Sequence, residues 1–325
     1  MSNKPVLCVY IPAWKNYPEA IEQALSLKSQ YSSSTSQAFK LQLICSINAV
    51  TEIPPEHTEK LLDAFDEFYH VRATTGDVNI NMGFYSALKH ESDFLWIVSP
   101  DDRVSSSALD TISNKLVASS NLDFLVSNEE EQVDKEFDVS LDTNWSRLLG
   151  EASFGLVSGI VYRLERFKPA LHLGLQASFT HWGQLAVLIG SVASNRKLKC
   201  RMITASLLYE RGDPKVLNSN QFDHNVRNYS GSFFGFISLM SFFPINKKLE
   251  VRRWILANFF KIGMYRQGYY YARPKPLLGL TDLYIFAGNV IKATGLLNSI
   301  FFWLAKSIDF RKFRKLWHEV AKKWN

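Results

Sequence analysis

Cysteine is scarce in this chain, long apolar runs are missing, and so are the glycine-rich turns that mark several enzyme classes. Three cysteines occur in 325 residues: Cys8, Cys45 and Cys200. They are odd in number and far apart, which excludes a disulfide framework and a cysteine metal motif. Cys8 and Cys45 fall in apolar runs and read as buried thiols of a reducing compartment. No segment has the roughly 18 uninterrupted apolar residues of a membrane-spanning helix. Ser232–Phe243 is too short, and Leu277–Ala305 is interrupted by Asp282, Asn289, Lys292 and Asn298. The first residues enter an apolar run without the basic region, long apolar stretch and cleavage site of a signal peptide, so none is expected. No Gly-x-Gly-x-x-Gly turn follows that run, which argues against a nicotinamide dinucleotide enzyme. Residues 12–17 hold no glycine and only Lys15, whereas a nucleotidyltransferase needs a glycine-rich basic loop there. No Gly-x-Ser-x-Gly elbow offers a serine nucleophile. His57, His70, His90, His172, His224 and His318 form no zinc-ligand spacing.

What is present is an ordinary globular composition, 46% hydrophobic and 21% charged. At roughly 100–200 residues per domain, the length suits two domains. The formal charge is +6, and residues 301–325 carry seven Lys and Arg against two acids, which is nearly all of the excess. Such a tail suits an anionic partner, or it is a solvated helix face. Its aromatics interleave with its basic residues: Phe310, Arg311, Phe313, Arg314 and Trp317 follow Phe301-Phe-Trp303. That mixture suits the headgroup boundary of an anionic membrane. The same aromatics would serve for packing on the rest of the chain or for a dimer contact. The near-neutral body argues against a nucleic-acid partner.

The order of elements predicts an α/β fold. Val6–Ile11, Leu41–Ile47, Phe94–Val98, Leu122–Val126, Leu156–Tyr162 and Met202–Tyr209 read as strands. Helical spacing lies between them at Ala20–Leu27, from Pro55 through Phe65, at Ser105–Leu116 and at Trp182–Ile189. Tyr31–Gln37 and the acidic Glu129–Asp138 read as loops. The alternation predicts a mostly parallel sheet with helices on both faces. Beyond Asn220 long amphipathic segments replace it. The chain therefore reads as an α/β domain over 1–215 and a helical C-terminal region over 216–325.

Open parallel sheets bind ligands outside the C-terminal ends of their strands, so the residues just after the strands are the candidates. Phe94-Leu-Trp-Ile-Val-Ser-Pro-Asp-Asp102 is a buried strand ending in two adjacent carboxylates. Paired aspartates there can hold a divalent cation through hard oxygen ligands. The cation would stabilise a departing diphosphate. The alternative is a Pro-Asp-Asp turn with Asp102 capping the helix near Ser105. Upstream, Gly76-Asp-Val-Asn-Ile-Asn-Met-Gly83 reads as a loop that brings backbone close to a ligand, ahead of a helix through Leu88.

Taken in order, Pro12-Ala-Trp-Lys-Asn16, Asn81-Met-Gly83 and Ser99-Pro-Asp-Asp102 resemble three motifs of the family-2 glycosyltransferases, over residues 5–215. The resemblance implies a GT-A-like fold, a mostly parallel sheet flanked by helices. It implies an enzyme that transfers a sugar, with inversion, from a nucleotide-sugar donor to a saccharide acceptor. Asp101 and Asp102 would bind Mg2+ or Mn2+. Pro12, Trp14, Asn48, Asn81, Gly83 and Asp101 would line the donor site. Arg211, in the Arg-Gly-Asp stop after the last strand, would clamp the diphosphate, or it forms a surface salt bridge. Within the family the layout is similar to bacterial O-antigen transferases such as abequosyltransferase. Those pair Ser-x-Asp-Asp with an Arg-Gly-Asp stop and a helical C-terminal region. That likeness implies a hexosyl- or deoxyhexosyltransferase of O-antigen or capsule synthesis, with a polyprenyl-diphosphate-linked acceptor. It would be cytoplasmic, peripheral on the cytoplasmic face of the inner membrane.

The sequence departs from the family pattern at three places. Ile47, in Cys45-Ser-Ile-Asn48, stands where an aspartate usually reads the base, which argues against a standard UDP donor. Ser99 replaces the first carboxylate of the usual Asp-x-Asp, leaving the metal to Asp101 and Asp102. No carboxylate occurs in Phe179-Thr-His-Trp-Gly-Gln184, where the family carries its general base. His181 is the substitute, since a neutral imidazole can take a proton from an acceptor hydroxyl. Its other readings are a helix start or an acceptor contact. Trp182 can stack on an acceptor sugar or pack in the core. The rival class is a non-catalytic GT-A-like scaffold, which these departures would suit.

Overall fold

β1 (Val6–Ala13) reads Val-Leu-Cys-Val-Tyr-Ile-Pro-Ala and is buried along almost its whole length. Only a strand covered on both faces tolerates such a run. In the computed structural model it is a central strand. It pairs in parallel with β2 (Lys40–Ile47), from Val6 beside Lys40 to Ala13 beside Ile47. On its other side it pairs in parallel with β4 (Phe94–Ile97), from Leu7 beside Phe94 to Tyr10 beside Ile97. The structure describes residues 4–14, 16–33, 38–48, 52–71, 76–128, 131–143, 145, 154, 156–177 and 182–210. The helical C-terminal region read from the sequence, 216–325, lies outside them.

β3 (Glu67–His70) adds in parallel beside β2. β8 (Ile160–Arg163) lies antiparallel between β4 and β6 (Phe124–Ser127). β9 (Lys197–Ile203) runs parallel to β6, and β7 (Lys135–Ser140) closes the edge antiparallel to β9. The order is β3-β2-β1-β4-β8-β6-β9-β7, a mixed and mostly parallel sheet. A separate ribbon pairs β5 (Arg103–Val104) with β10 (Leu208–Glu210).

Successive side chains of a strand face opposite ways. Leu7, Val9 and Ile11 pack in one core with α1 (Tyr17–Ser33), α2 (Pro55–Ala64) and α4 (Ala108–Ile112). Tyr10 faces the opposite layer, against α3 (Gly76–Lys89). Short helices α5 (Leu164–Phe167) and α6 (Leu171–Gln176) and the longer α7 (Gly183–Asn195) share that layer. Gly83 allows the close approach of α3: a Cβ there would meet the Tyr10 ring at 2.7 Å and Ile97 at 3.1 Å.

Several local expectations are corrected. The Gly76–Gly83 segment is the start of a helix, not a loop. Tyr31–Ser33 finishes α1, and residues 34–37 lie outside the described ones. β7 occupies the second half of the expected loop at Glu129–Asp138. Met202–Tyr209 is the end of β9 and most of β10, which belong to different sheets. Among the described residues no helix is long and apolar enough to cross a membrane. All three cysteines are buried and free, and burial pushes the Cys8 thiol up to about 12.

Candidate active site

β1, β2 and β4 run the same way, so the chain leaves all three on one edge, at Trp14, Asn48 and Val98-Ser99. Pro12 has no N–H to give, and it falls where the ladder with β4 has already ended. Asn48 donates its backbone N–H to the Ala13 carbonyl at 2.8 Å. Asn79, buried in the first turn of α3, donates Nδ2 to that same carbonyl at 3.1 Å. The Tyr10 hydroxyl lies 2.5 Å from Ser46 Oγ and 2.9 Å from the Asn79 carbonyl, and Ser46 Oγ donates to Asn79 Oδ1. These bonds tie the start of α3 to the ends of β1 and β2. Burial raises Tyr10 well above the ordinary tyrosine range, so its hydroxyl stays protonated.

Beside this edge lies the carboxylate turn. The Asp102 N–H closes it by donating to the Ser99 carbonyl at 3.1 Å. Asp101 is exposed, and its Oδ1 accepts from Asn16 Nδ2 at 2.8 Å. Asn16 Oδ1 in turn accepts the Trp14 N–H at 2.9 Å. Both ends of the Asn16 amide are therefore used, which fixes its orientation. Trp14 leaves 49% of its surface exposed beside this pair. Asp102 is only 6% exposed. It does not cap α4, whose N-terminal flanking residue is Ser107, so the capping alternative is excluded.

The other candidates are placed as follows. β10 pairs Glu210 with Arg103 and Leu208 with Val104, so it runs beside the chain that leaves Asp102. Arg211 follows β10 directly but lies outside the described residues, as does His181. Trp182 is half-buried at the start of α7, its carbonyl accepting the N–H groups of Leu185 and Ala186 at 3.0 and 3.1 Å. Asn81 is buried where α3 meets α7, and a Cβ on Gly183 would come 2.2 Å from its Oδ1. The structure thus brings Pro12, Trp14, Asn48, Asp101 and Asp102 to one edge. It buries Asn81 and Gly83 in the packing of α3.

No protein-family profile and no curated protein matches the sequence. Solved structures match the fold. Residues 1–349 of TarS from S. aureus superpose with a TM-score of 0.56 and 11% identity, covering 88% of this chain and 79% of that one. The same TarS fragment in complex with UDP-GlcNAc gives 0.54 and 10%, covering 88% and 81%. Those structures are GT-A-type glycosyltransferases. This chain has the GT-A fold. A mannosyltransferase from Pyrobaculum calidifontis, in complex with GDP-Man and Mn2+, matches with a TM-score of 0.49 and 12% identity, covering 94% of this chain and 88% of that one.

The sequence resemblance implies Mg2+ or Mn2+ at Asp101 and Asp102. Mg2+ and similar hard cations bind through one or two carboxylates together with phosphate oxygens and water. Asp101 offers an exposed carboxylate at this edge, and Asp102, 6% exposed, follows it in the chain. Among the described residues no group of three or more His, Cys, Asp and Glu could hold a metal ion.

Sequence reasoning missed Gln23 and Ser158, and it used Asn16 and Asn79 only as parts of longer segments. Gln23 carried a signal: it is a polar residue on the apolar stripe of Ala20, Ala24 and Leu27. Ser158 carried none, because its value lies in a neighbour 59 residues away.

Proposed function

We propose that this chain is an inverting glycosyltransferase that moves a sugar from a nucleotide-sugar to a saccharide acceptor. The observation that carries the proposal is the hydrogen bond between Asn16 and Asp101, 85 residues apart. It sets an exposed carboxylate beside an exposed tryptophan at the C-terminal edge of a GT-A sheet. An aromatic face can stack on a nucleobase, and a carboxylate pair can hold a cation against a diphosphate.

Pro12, Trp14 and Asn48 hold the nucleoside in this reading, and Asn81 and Gly83 seat α3 against the same edge. Asp101 and Asp102 hold Mg2+ or Mn2+, and Arg211 neutralises the diphosphate beside them. The cation, when bound, supplies positive charge to the departing diphosphate. His181 takes the acceptor hydroxyl's proton as that oxygen bonds to the anomeric carbon, opposite the leaving diphosphate, so the carbon inverts. Trp182, next in the chain, stacks on the acceptor sugar. The basic, aromatic tail supports a polyprenyl-diphosphate-linked acceptor at an anionic membrane. The enzyme would then add a hexose or deoxyhexose in O-antigen or capsule synthesis, at the cytoplasmic face of the inner membrane.

Thermal shift against UDP-, dTDP-, GDP- and CDP-sugars, with and without Mn2+, tests the reading. A ligand at a hundredfold excess over Kd stabilises the folded state by about 2.7 kcal/mol. The expected result is a Mn2+-dependent shift for one nucleotide, absent in Asp102→Ala. No shift for any nucleotide would replace the enzyme with a non-catalytic scaffold of the same fold.

A further inference from the structure

Gln23 lies on the inner face of α1 and is 2% exposed. Burying an amide is costly unless both of its ends are bonded. Both are. Nε2 donates to the Ser99 carbonyl at 2.9 Å, and Oε1 accepts the Val104 N–H at 3.2 Å. Ser99 and Val104 flank Pro100, Asp101, Asp102 and Arg103, so one side chain grips both ends of the segment that carries the carboxylates. Ser158, fully buried, holds the same segment from the sheet side. Its Oγ accepts the Ser99 N–H at 2.9 Å, and its carbonyl accepts Trp96 Nε1 at 2.7 Å. The neighbouring residue on α1 adds an ion pair, Glu22 to Arg103 at 3.3 Å.

Leucine or methionine at position 23 would fill the core as well. What glutamine adds is two bonds, and both go to the backbone of the carboxylate turn. We infer that Gln23, backed by Ser158, is a positioning residue that sets Asp101 and Asp102 for the donor's cation and diphosphate before the ligand arrives. The inference rests on the function proposed above and explains how that site keeps its shape. Groups already held in place lose little freedom when a ligand binds. A turn released from Gln23 must instead be ordered by the ligand, which weakens binding.

Two variants separate this role from packing, Gln23→Met and Leu27→Val. Gln23→Met removes both bonds at similar volume. Hydrogen exchange on the unliganded protein is the first readout. In Gln23→Met the Val104 and Asp102 amides exchange about tenfold faster, while the β1 amides keep their rates. Mn2+ titration in the presence of UDP, dTDP, GDP or CDP is the second. Half-saturating Mn2+ rises about tenfold in Gln23→Met. Leu27→Val, in the same helix core, lowers Tm without moving it. Unchanged Val104 exchange in Gln23→Met overturns the grip itself, whatever nucleotides bind. Faster exchange with unchanged half-saturating Mn2+ overturns the positioning role. Faster exchange in Gln23→Met, where the unaltered protein binds no nucleotide at any Mn2+, overturns the proposed function and with it the link to a donor.

Discussion

β3, β2, β1 and β4 all run one way, and the chain leaves β2, β1 and β4 on the edge that carries Asn48, Trp14 and Asp101. Past β4 the directions are mixed: β8 and β7 are reversed, while β6 and β9 keep the direction of β4. The polar groups of the two halves differ accordingly. In the parallel half Tyr10, Ser46, Asn79 and Gln23 are buried and bonded to one another or to backbone. In the other half Ser127 and Ser158 are buried and bonded too, but the outer strands add a ladder of ion pairs: Glu136 with Arg201 and Lys199, and Asp138 with Lys197. Strands of one direction gather their outgoing loops and can build a site, so their polar groups fix geometry. An edge strand must instead be kept from pairing with other chains, and charge does that.

Substitutions matched across the two halves can break this contrast. Asp102→Ala is expected to lower turnover of the donor by about a hundredfold or more, as loss of a group that stabilises a developing charge does. Glu136→Gln, in the other half, leaves turnover unchanged, and steady-state kinetics on both variants checks the pair. Gly83→Ala forces a Cβ to within 2.7 Å of the Tyr10 ring. It is expected to cost about 1–3 kcal/mol in urea denaturation, the usual range for overpacking. Asn16→Ala frees Asp101 and the Trp14 backbone together, and raises the donor KM about tenfold with Tm nearly unchanged. The smallest effect is the stability cost of Glu136→Gln, under about 1 kcal/mol because its partners face water. Hydrogen bonds from Arg201 and Lys199 hold the Glu136 carboxyl below its ordinary value of 4.5. Its folded value is the lower one, so its contribution is complete above the unfolded value and is lost as pH falls through the folded value. The difference in urea midpoint between the two proteins therefore shrinks as pH falls below 4.5.

The strands that form the site were legible because they are continuous apolar runs closed by proline or by carboxylates, as at Pro12 and Asp101. β3 escaped because Glu-Phe-Tyr-His is only partly buried and shows no apolar run. β7 escaped because an edge strand carries charge, and Lys135, Glu136 and Asp138 look like a loop. The start of α3 misled for a different reason. Its asparagines suggest a turn by propensity, but Asn79 is spent on the ends of β1 and β2 rather than on its own backbone. At the site, the carboxylate pair and Trp14 were readable from their place after strands. Gln23 and Ser158 were not, because their partners are 59 to 81 residues distant in the chain.

Tyr10 has one further consequence, for how the chain finds this arrangement. β1 offers almost no difference in greasiness between its two sides, so hydrophobicity alone would accept a slip of one residue against β2. Such a slip turns every side chain to the opposite layer. It would carry the Tyr10 hydroxyl away from Ser46 and Asn79 and strand it among the hydrocarbon of α1 and α2. A single phenol therefore serves as the alignment mark of an otherwise unmarked strand. A chain carrying Tyr10→Phe would lose its means of rejecting the wrong register before it lost much of its stability.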